Sequence, residues 1–166
     1  MAVASTTVVR GDLGVIDRLA ALYAELHEHH ASVAPELLGL PACSAGEAWR
    51  RRREHYFRWL ESDGAFVVLA SANGDVAGFG LVTVADGYDG WGEGGPIGEL
   101  KDLVVARAAR RLGLATAIVD AVRDELARSG VPTLRLNVLA ANSEAREFYA
   151  RYGLELAAVT FGGPTI

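Results

Sequence analysis

A single cysteine, Cys43, stands in 166 residues, which excludes an internal disulfide framework and a multi-thiolate metal site. Long apolar runs are missing as well. No window approaches the ~18 consecutive apolar residues of a membrane span, and Met1 to Arg10 lacks a charged segment followed by an apolar one. Neither a spanning helix nor a signal peptide is expected, so the chain reads as cytoplasmic with no membrane partner. Excess positive charge is absent too: the formal net charge is −5 and the pI near 5.4, which argues against non-specific nucleic-acid binding and suits a cationic partner.

What is present is apolar. At 51% hydrophobic, the chain is long enough for one well-filled core and too short for two comfortable domains, and it shows no repeat, low-complexity tract or linker. One α/β domain over residues 1–166 is expected.

Thr6 to Arg10 reads as a strand, and Asp12 caps a helix with the apolar stripe Ile16, Leu19, Tyr23 and Leu26. Pro35 to Pro41 breaks the pattern. Ser44 and Glu47 then form a capping box for a second helix through about Leu60, whose face carries Trp49, Tyr56, Phe57 and Leu60. Ala65–Ala70 and Val76–Val84 are strands joined by Asn73-Gly74, a hairpin dipeptide, and so pair antiparallel. Asp86 to Gly98, with five glycines before Gly98 and with Tyr88 and Trp91, is a long loop of the kind that serves function. Leu100 to Ala106 is a buried strand. After the central helix, Gly130 and Pro132 precede a strand at Thr133–Leu139, a helix runs from Ala141-Asn142-Ser143 through Tyr152, and Leu154–Phe161 is predicted as a last strand.

Between the central strand and its helix, Arg110-Arg111-Leu112-Gly113 forms the turn, with Leu114, Ala115 and Thr116 opening the helix. Backbone N–H groups and the positive helix end converge there, and Gly113 lets an anion approach closely, so the segment suits a pyrophosphate. An ordinary strand-to-helix connection with solvated arginines is the plainer reading of this segment alone.

A second motif makes the pattern specific. Arg110-x-x-Gly113-x-Ala115 resembles the acyl-CoA pyrophosphate signature of the GNAT superfamily of N-acetyltransferases, and Asn142-x-x-Ala145-x-x-Phe148-Tyr149-x-x-Tyr152-Gly153-Leu154 resembles that family's second cofactor motif. The resemblance covers roughly Phe66 to Phe161. It implies an α/β (α+β) fold with a twisted mixed sheet flanked by helices, splayed between central parallel strands at Leu100 and Leu134. Acetyl-CoA would lie in the opening as co-substrate, with no metal. A Rossmann site is the nearest competitor, but Gly-x-Gly-x-x-Gly is absent and the first two strands of the region form a hairpin.

The resemblance assigns the pyrophosphate to Arg110 through Thr116, the pantetheine arm to main-chain groups of Leu103, Val104 and Val105, and further cofactor contacts to Asn142, Ala145 and Tyr149. Asn142 doubles as a helix N-cap. Tyr149 is the expected donor to the departing thiolate, with core packing as its plainer reading; Tyr152 packs. Glu99 is the expected base. Regular alternation puts Asp102 on the opposite face of the strand, so only one of the two carboxylates reaches the cleft. Asp102, a histidine from His27 to His30, or a water chain is the alternative base. The histidines lack partners for a metal site and read instead as cleft lining. Arg50 to Arg53 reads as a solvated helix face, with contact to the coenzyme's 3′-phosphate as its functional alternative.

The expected reaction is direct acetyl transfer to a primary amine of a small molecule or peptide, since Cys43 is far from the motifs and cannot carry the acetyl group. A homodimer is the further partner expectation. A catalytically silent acyl-CoA-sensing module and a nucleotide-dependent enzyme are the competing classes.

Overall fold

In a computed structural model, which describes residues 6–91, 95–163 and 165, strands and helices follow one another along the chain. β1 (Thr6–Gly11) leads through a 3-10 turn into α1 (Ala20–Val33), a small hairpin β2 (Glu36–Leu37) and β3 (Leu40–Pro41), and α2 (Ala45–Leu60). Then come β4 (Phe66–Ala72), β5 (Asp75–Ala85), β6 (Ile97–Val105), α3 (Leu114–Arg128), β7 (Thr133–Leu136) and α4 (Ser143–Tyr152). The main sheet has the order β1-β4-β5-β6-β7, antiparallel throughout except for the parallel pair β6–β7. Asn73 and Gly74, both at positive φ, close the β4–β5 turn as their dipeptide predicts.

Burial on both faces explains why β4, β5 and β6 read as near-continuous apolar runs. On one face α3 lays Ile118, Val119, Val122 and Leu126 against Phe66, Val68, Val82 and Leu100. On the other, α1 and α2 bring Leu22, Tyr23 and Tyr56 onto Val67, Phe79, Leu81 and Val104. α3 sits close because Gly78 and Gly80 leave room for it: a Cβ on Gly80 would lie 2.7 Å from Ile118 Cγ2, and one on Gly78 2.7 Å from the Val104 backbone oxygen.

Two irregularities in β6 shape the molecule. Its parallel pairing runs from Ile97↔Thr133 to Leu100↔Leu136 and stops, while the strand itself continues to Val105. Residues 101–105 thus pair with β5 alone, leaving their other backbone edge open. This is the splay the family resemblance implies. The second irregularity is a bulge: Leu81 faces Asp102 and the adjacent Val82 faces Leu100, so Lys101 is the extra residue. Alternation shifts by one, which is why Leu100 packs in the α3 cluster while Val104, four residues on, packs in the α1/α2 cluster. Glu99 and Asp102 therefore share a face, correcting the expectation that alternation would separate them.

Other expectations change at the edges. Asp12 accepts from Gly14 N at 2.8 Å, but the helix it opens is a 3-10 turn over Leu13–Leu19 before α1 proper. Ser44 caps α2 by accepting from Glu47 N at 3.3 Å, whereas Glu47 turns to Arg50 and Arg51 and leaves the box half made. β7 ends at Leu136, short of the predicted Leu139. The predicted strand at Leu154–Phe161 is absent: Leu156 is 80% and Phe161 92% exposed. An apolar run supplies strand propensity, but no described strand edge pairs with this one.

Gly78→Ala tests the packing. Its methyl must displace a backbone oxygen rather than a flexible side-chain end, so we expect a loss of about 1–3 kcal/mol in urea unfolding. Unchanged stability would show that β5 and β6 yield there without cost.

Candidate active site

The turn from β6 into α3 leaves backbone donors free for an anion. Arg111 and Gly113 both take left-handed backbone, φ 64° and 77°, and Gly113 is the N-cap of α3 with no side chain capping the helix. The first-turn N–H groups of Leu114, Ala115 and Thr116 therefore lack the side-chain partner that most helix starts supply. A Cβ built on Gly113 meets nothing within 4 Å, so open space faces these donors. Arg110 donates from Nε to the Val105 carbonyl at 3.4 Å, placing its guanidinium beside the open end of β6. The cradle residues from Arg110 to Thr116 and the free edge at Leu103, Val104 and Val105 thus form one continuous track. An acyl-CoA fits it: pyrophosphate at the uncapped helix start, extended arm along the unpaired edge.

α4 flanks the splay. Asn142 is buried and accepts from Ala145 N at 3.2 Å, so it is the N-cap of α4; His29 Nε2 reaches the same Oδ1 at 3.5 Å. Tyr149 is half-buried, and burial, with a further push from the Asp102 carboxylate, raises its phenol well above the ordinary range. It stays protonated at neutral pH. Tyr152 packs against the core and donates to Asp120.

The opposite face of β6 opens into a cleft of about 550 Å³ floored by Glu99, Leu100 and Lys101 and walled by α1 and α2 through Tyr23, His27, Arg52 and Trp59. Glu99 accepts from Lys101 Nζ at 2.7 Å and Arg135 Nη2 at 3.0 Å. Burial alone would raise its pKa, but these two partners outweigh burial and hold the carboxyl below its usual value. Arg135 also donates to the Tyr88 hydroxyl at 3.3 Å, tying the loop after β5 to the cleft floor. Trp91 stacks edge-on against Tyr88 at 6.0 Å and is 78% exposed. Of the glycines in this loop, Gly92 and Gly94 lie outside the described residues.

Asp102 is buried beside the cleft, accepting from Tyr56 Oη at 2.8 Å with Arg52 Nη1 at 3.6 Å. Burial is the main influence on it and raises its pKa, only partly offset by Arg52, Tyr56 and Lys101. His27 lines the cleft and donates to the Cys43 carbonyl at 2.7 Å. Cys43 itself is exposed and lines the same cleft as Glu99, correcting the expectation that its distance in sequence keeps it away from the site. Among the described residues no group of three or more His, Cys, Asp or Glu is placed to hold a metal ion, and no helix is long and apolar enough to cross a membrane.

The sequence profile of the acetyltransferase (GNAT) family matches residues 24–154. The chain belongs to that family. Solved GNAT acetyltransferases share its fold: an aminoglycoside N-acetyltransferase, AAC(6')-Iy, crystallised with CoA, superposes with a TM-score of 0.70 at 17% identity, covering 99% of this chain and 98% of that one. Glucosamine-6-phosphate N-acetyltransferase from Arabidopsis thaliana gives 0.61 at 17% identity, covering 98% and 99%. The BH1408 protein of Bacillus halodurans gives 0.74 at 15% identity, covering 96% and 99%.

Within this GNAT fold, α2 contributes more than its sequence suggests. Arg53 pairs with Asp17 and Arg50 with Glu47, but Arg52 turns inward, correcting its place on a solvated face. The signal was available: Arg52 follows Trp49 by three residues and precedes Tyr56 and Trp59 by four and seven, so it interrupts an aromatic stripe at helical spacing. Tyr56, Lys101 and Asn137 carry no motif, and only the fold brings them to the cleft or its border.

The Asp102 carboxyl yields a prediction with a definite sign. A folded-state pKa raised above the unfolded value near 3.8 means stability that is fully present below the unfolded value and lost as pH climbs through the folded one. At pH 7 the ionised carboxylate is a net burden. Asp102→Asn keeps an acceptor for Tyr56, and Arg52, open to the cleft, stays hydrated. The variant should melt higher than wild type at pH 7, with the gap closing toward pH 4; a lower Tm at pH 7 would show that the Asp102–Arg52 pair is a net stabiliser.

Proposed function

We propose that this protein moves the acetyl group of acetyl-CoA directly to a primary amine, residues 1–166 forming one catalytic domain in the cytoplasm. The observation that carries this reading is the splay of β6 from β7. It leaves a donor-lined track for the coenzyme on one side and an acidic group, Glu99, in a cleft on the other, with Tyr149 nearby on α4. Relatives named for aminoglycoside and glucosamine-6-phosphate N-acetyl transfer support an amine acceptor.

The uncapped start of α3 holds the pyrophosphate through backbone N–H groups, with Arg110 and Arg111 adding charge. Residues 103–105 align the arm so that the thioester reaches the cleft floor. Glu99, kept ionised by Lys101 and Arg135, attracts the acceptor's ammonium form. The second proton, lost as the nitrogen becomes an amide, ends on the departing CoA sulfur. The first must leave before attack, because an ammonium nitrogen has no lone pair, and Glu99 takes it up and passes it to water. Handing that proton over before attack is steep: an ammonium near pKa 10.4 costs about 4.6 kcal/mol to deprotonate at pH 7. Tyr149 donates a hydrogen bond to the sulfur as negative charge develops. Complete proton transfer from a phenol near 10 to a thiol near 8.5 is uphill by about 2 kcal/mol, and the upward shift of Tyr149 enlarges that gap. Its contribution is therefore electrostatic.

Two measurements test the proposal. Acetyl-CoA at one hundred times its Kd should add about 2.7 kcal/mol of stability, and Gly113→Asp should abolish the melting shift while leaving the fold, since it sets a carboxylate in the cradle. No shift at millimolar acetyl-CoA would refute the cradle. In thiol-release assays with a working amine, Tyr149→Phe should lower kcat by about 10²–10³-fold at every pH, whereas the loss in Glu99→Gln should shrink as pH nears the acceptor pKa. A wild-type profile for Glu99→Gln would move the base to Asp102, a histidine from His27 to His30 or a water chain.

A further inference from the structure

The charges on the cleft are the reverse of what the net charge of −5 suggests. Among the described residues that line it, Arg51, Arg52 and Lys101 are permanent cations and Glu99 is the single carboxylate. The local pairs on the cleft floor do not cancel: Glu99 is shared between Lys101 and Arg135, whereas Glu47 and Glu54 together balance Arg50 and Arg51. The one anion available to Arg52 is Asp102, at 3.6 Å.

Arg52 is the unusual group. Its guanidinium sits 5.5 Å from the Tyr23 ring and 5.4 Å from the Trp59 ring, which fixes its plane, and its side chain is 28% exposed. Of its five N–H donors only Nε makes a hydrogen bond among the described residues, to Tyr23 Oη at 3.4 Å. Among the described residues no buried side-chain nitrogen or oxygen lacks a partner, so the remaining Arg52 donors are the ones that reach the cleft. A rigid planar fork with unspent donors, facing a cavity that also holds an ionised carboxylate, matches a ligand with both charges: ammonium toward Glu99, anionic oxygens toward Arg52.

Building on the acetyltransferase reading, we propose that the acceptor is an amine that also bears an anionic oxygen group, a carboxylate or a phosphate, and that Arg52 selects it. Lys101 adds attraction for the same group and disfavours acceptors with several ammonium charges.

The test compares matched acceptors: alanine with alaninamide, phosphoethanolamine with ethanolamine, and spermidine as a polycation. Wild type should favour the anionic member of a pair by at least about 10-fold in kcat/KM, mostly through KM, with the preference shrinking as salt rises. Whichever pair discriminates more identifies carboxylate or phosphate. Arg52→Gln should cut kcat/KM for the anionic member by about 10- to 100-fold and collapse the ratio, while Arg52→Lys, retaining the charge without the fork, falls between. Circular dichroism and the acetyl-CoA melting shift control for folding, and the wild-type ratio decides if Arg52→Gln does not fold. Equal or better use of alaninamide, ethanolamine or spermidine overturns the inference. Calorimetry of the same pairs on the CoA-loaded protein separates the two proposals: anionic preference in binding without turnover of any amine sustains this inference and defeats the acetyltransferase reading, and absence of preference in both assays defeats this inference alone.

Discussion

The parallel pairing of β6 with β7, and its end at Leu100 and Leu136, is the constraint from which the rest of the site follows. Four residues of contact hold the two strands together at one end. Beyond them β6 is anchored by β5 alone, and its exposed backbone groups need a partner from elsewhere. The continuation of β6 into the uncapped start of α3 extends the same unmet hydrogen-bonding demand around the turn. A ligand with an extended amide-bearing arm and an anionic head satisfies both at once.

The bulge at Lys101 is the second constraint, and it acts on charge. By shifting the alternation by one residue it brings Glu99 and Asp102 to one face, next to the helices that carry Arg52, Tyr23 and Tyr56. The two carboxyls then diverge because their surroundings differ. Glu99 keeps two cationic partners and stays ionised, whereas Asp102 is buried against a phenol and a more distant guanidinium and resists ionisation. Two acids that a one-residue bulge brings onto one face thus acquire distinct characters within one site.

The aromatic packing of α1 and α2 sets how rigid this arrangement is. Tyr23, Trp49, Tyr56 and Trp59 meet at centroid distances near 6 Å, and Tyr56 stacks edge-on against Phe79 of β5. Arg52 and Lys101 lie against the Trp59 ring from this cluster. Charged groups on the cleft are thereby backed by large side chains with few rotamers, which favours positioned interactions over adaptable ones.

Much was legible in the order of residues because it depends on local chemistry. The hairpin at Asn73-Gly74, the caps at Ser44 and Asn142, the left-handed Gly153 that ends α4 and the turn from Arg110 to Gly113 each rest on a few neighbouring residues. Two spaced motifs sufficed to identify the family and its splayed sheet. What the chain order left open depended on partners distant in sequence. A one-residue bulge in β6 cannot be seen in an apolar run, yet it decides that Asp102 joins Glu99; Arg52 becomes a cleft residue only when α2 packs over β6; and Leu154–Phe161, apolar enough for a strand, remains unpaired because pairing requires a neighbouring edge and not merely propensity. Local propensity and capping therefore determined the elements and the uncapped turn before α3, while register and long-range packing, which no short stretch of sequence encodes, decided which charges meet in the cleft.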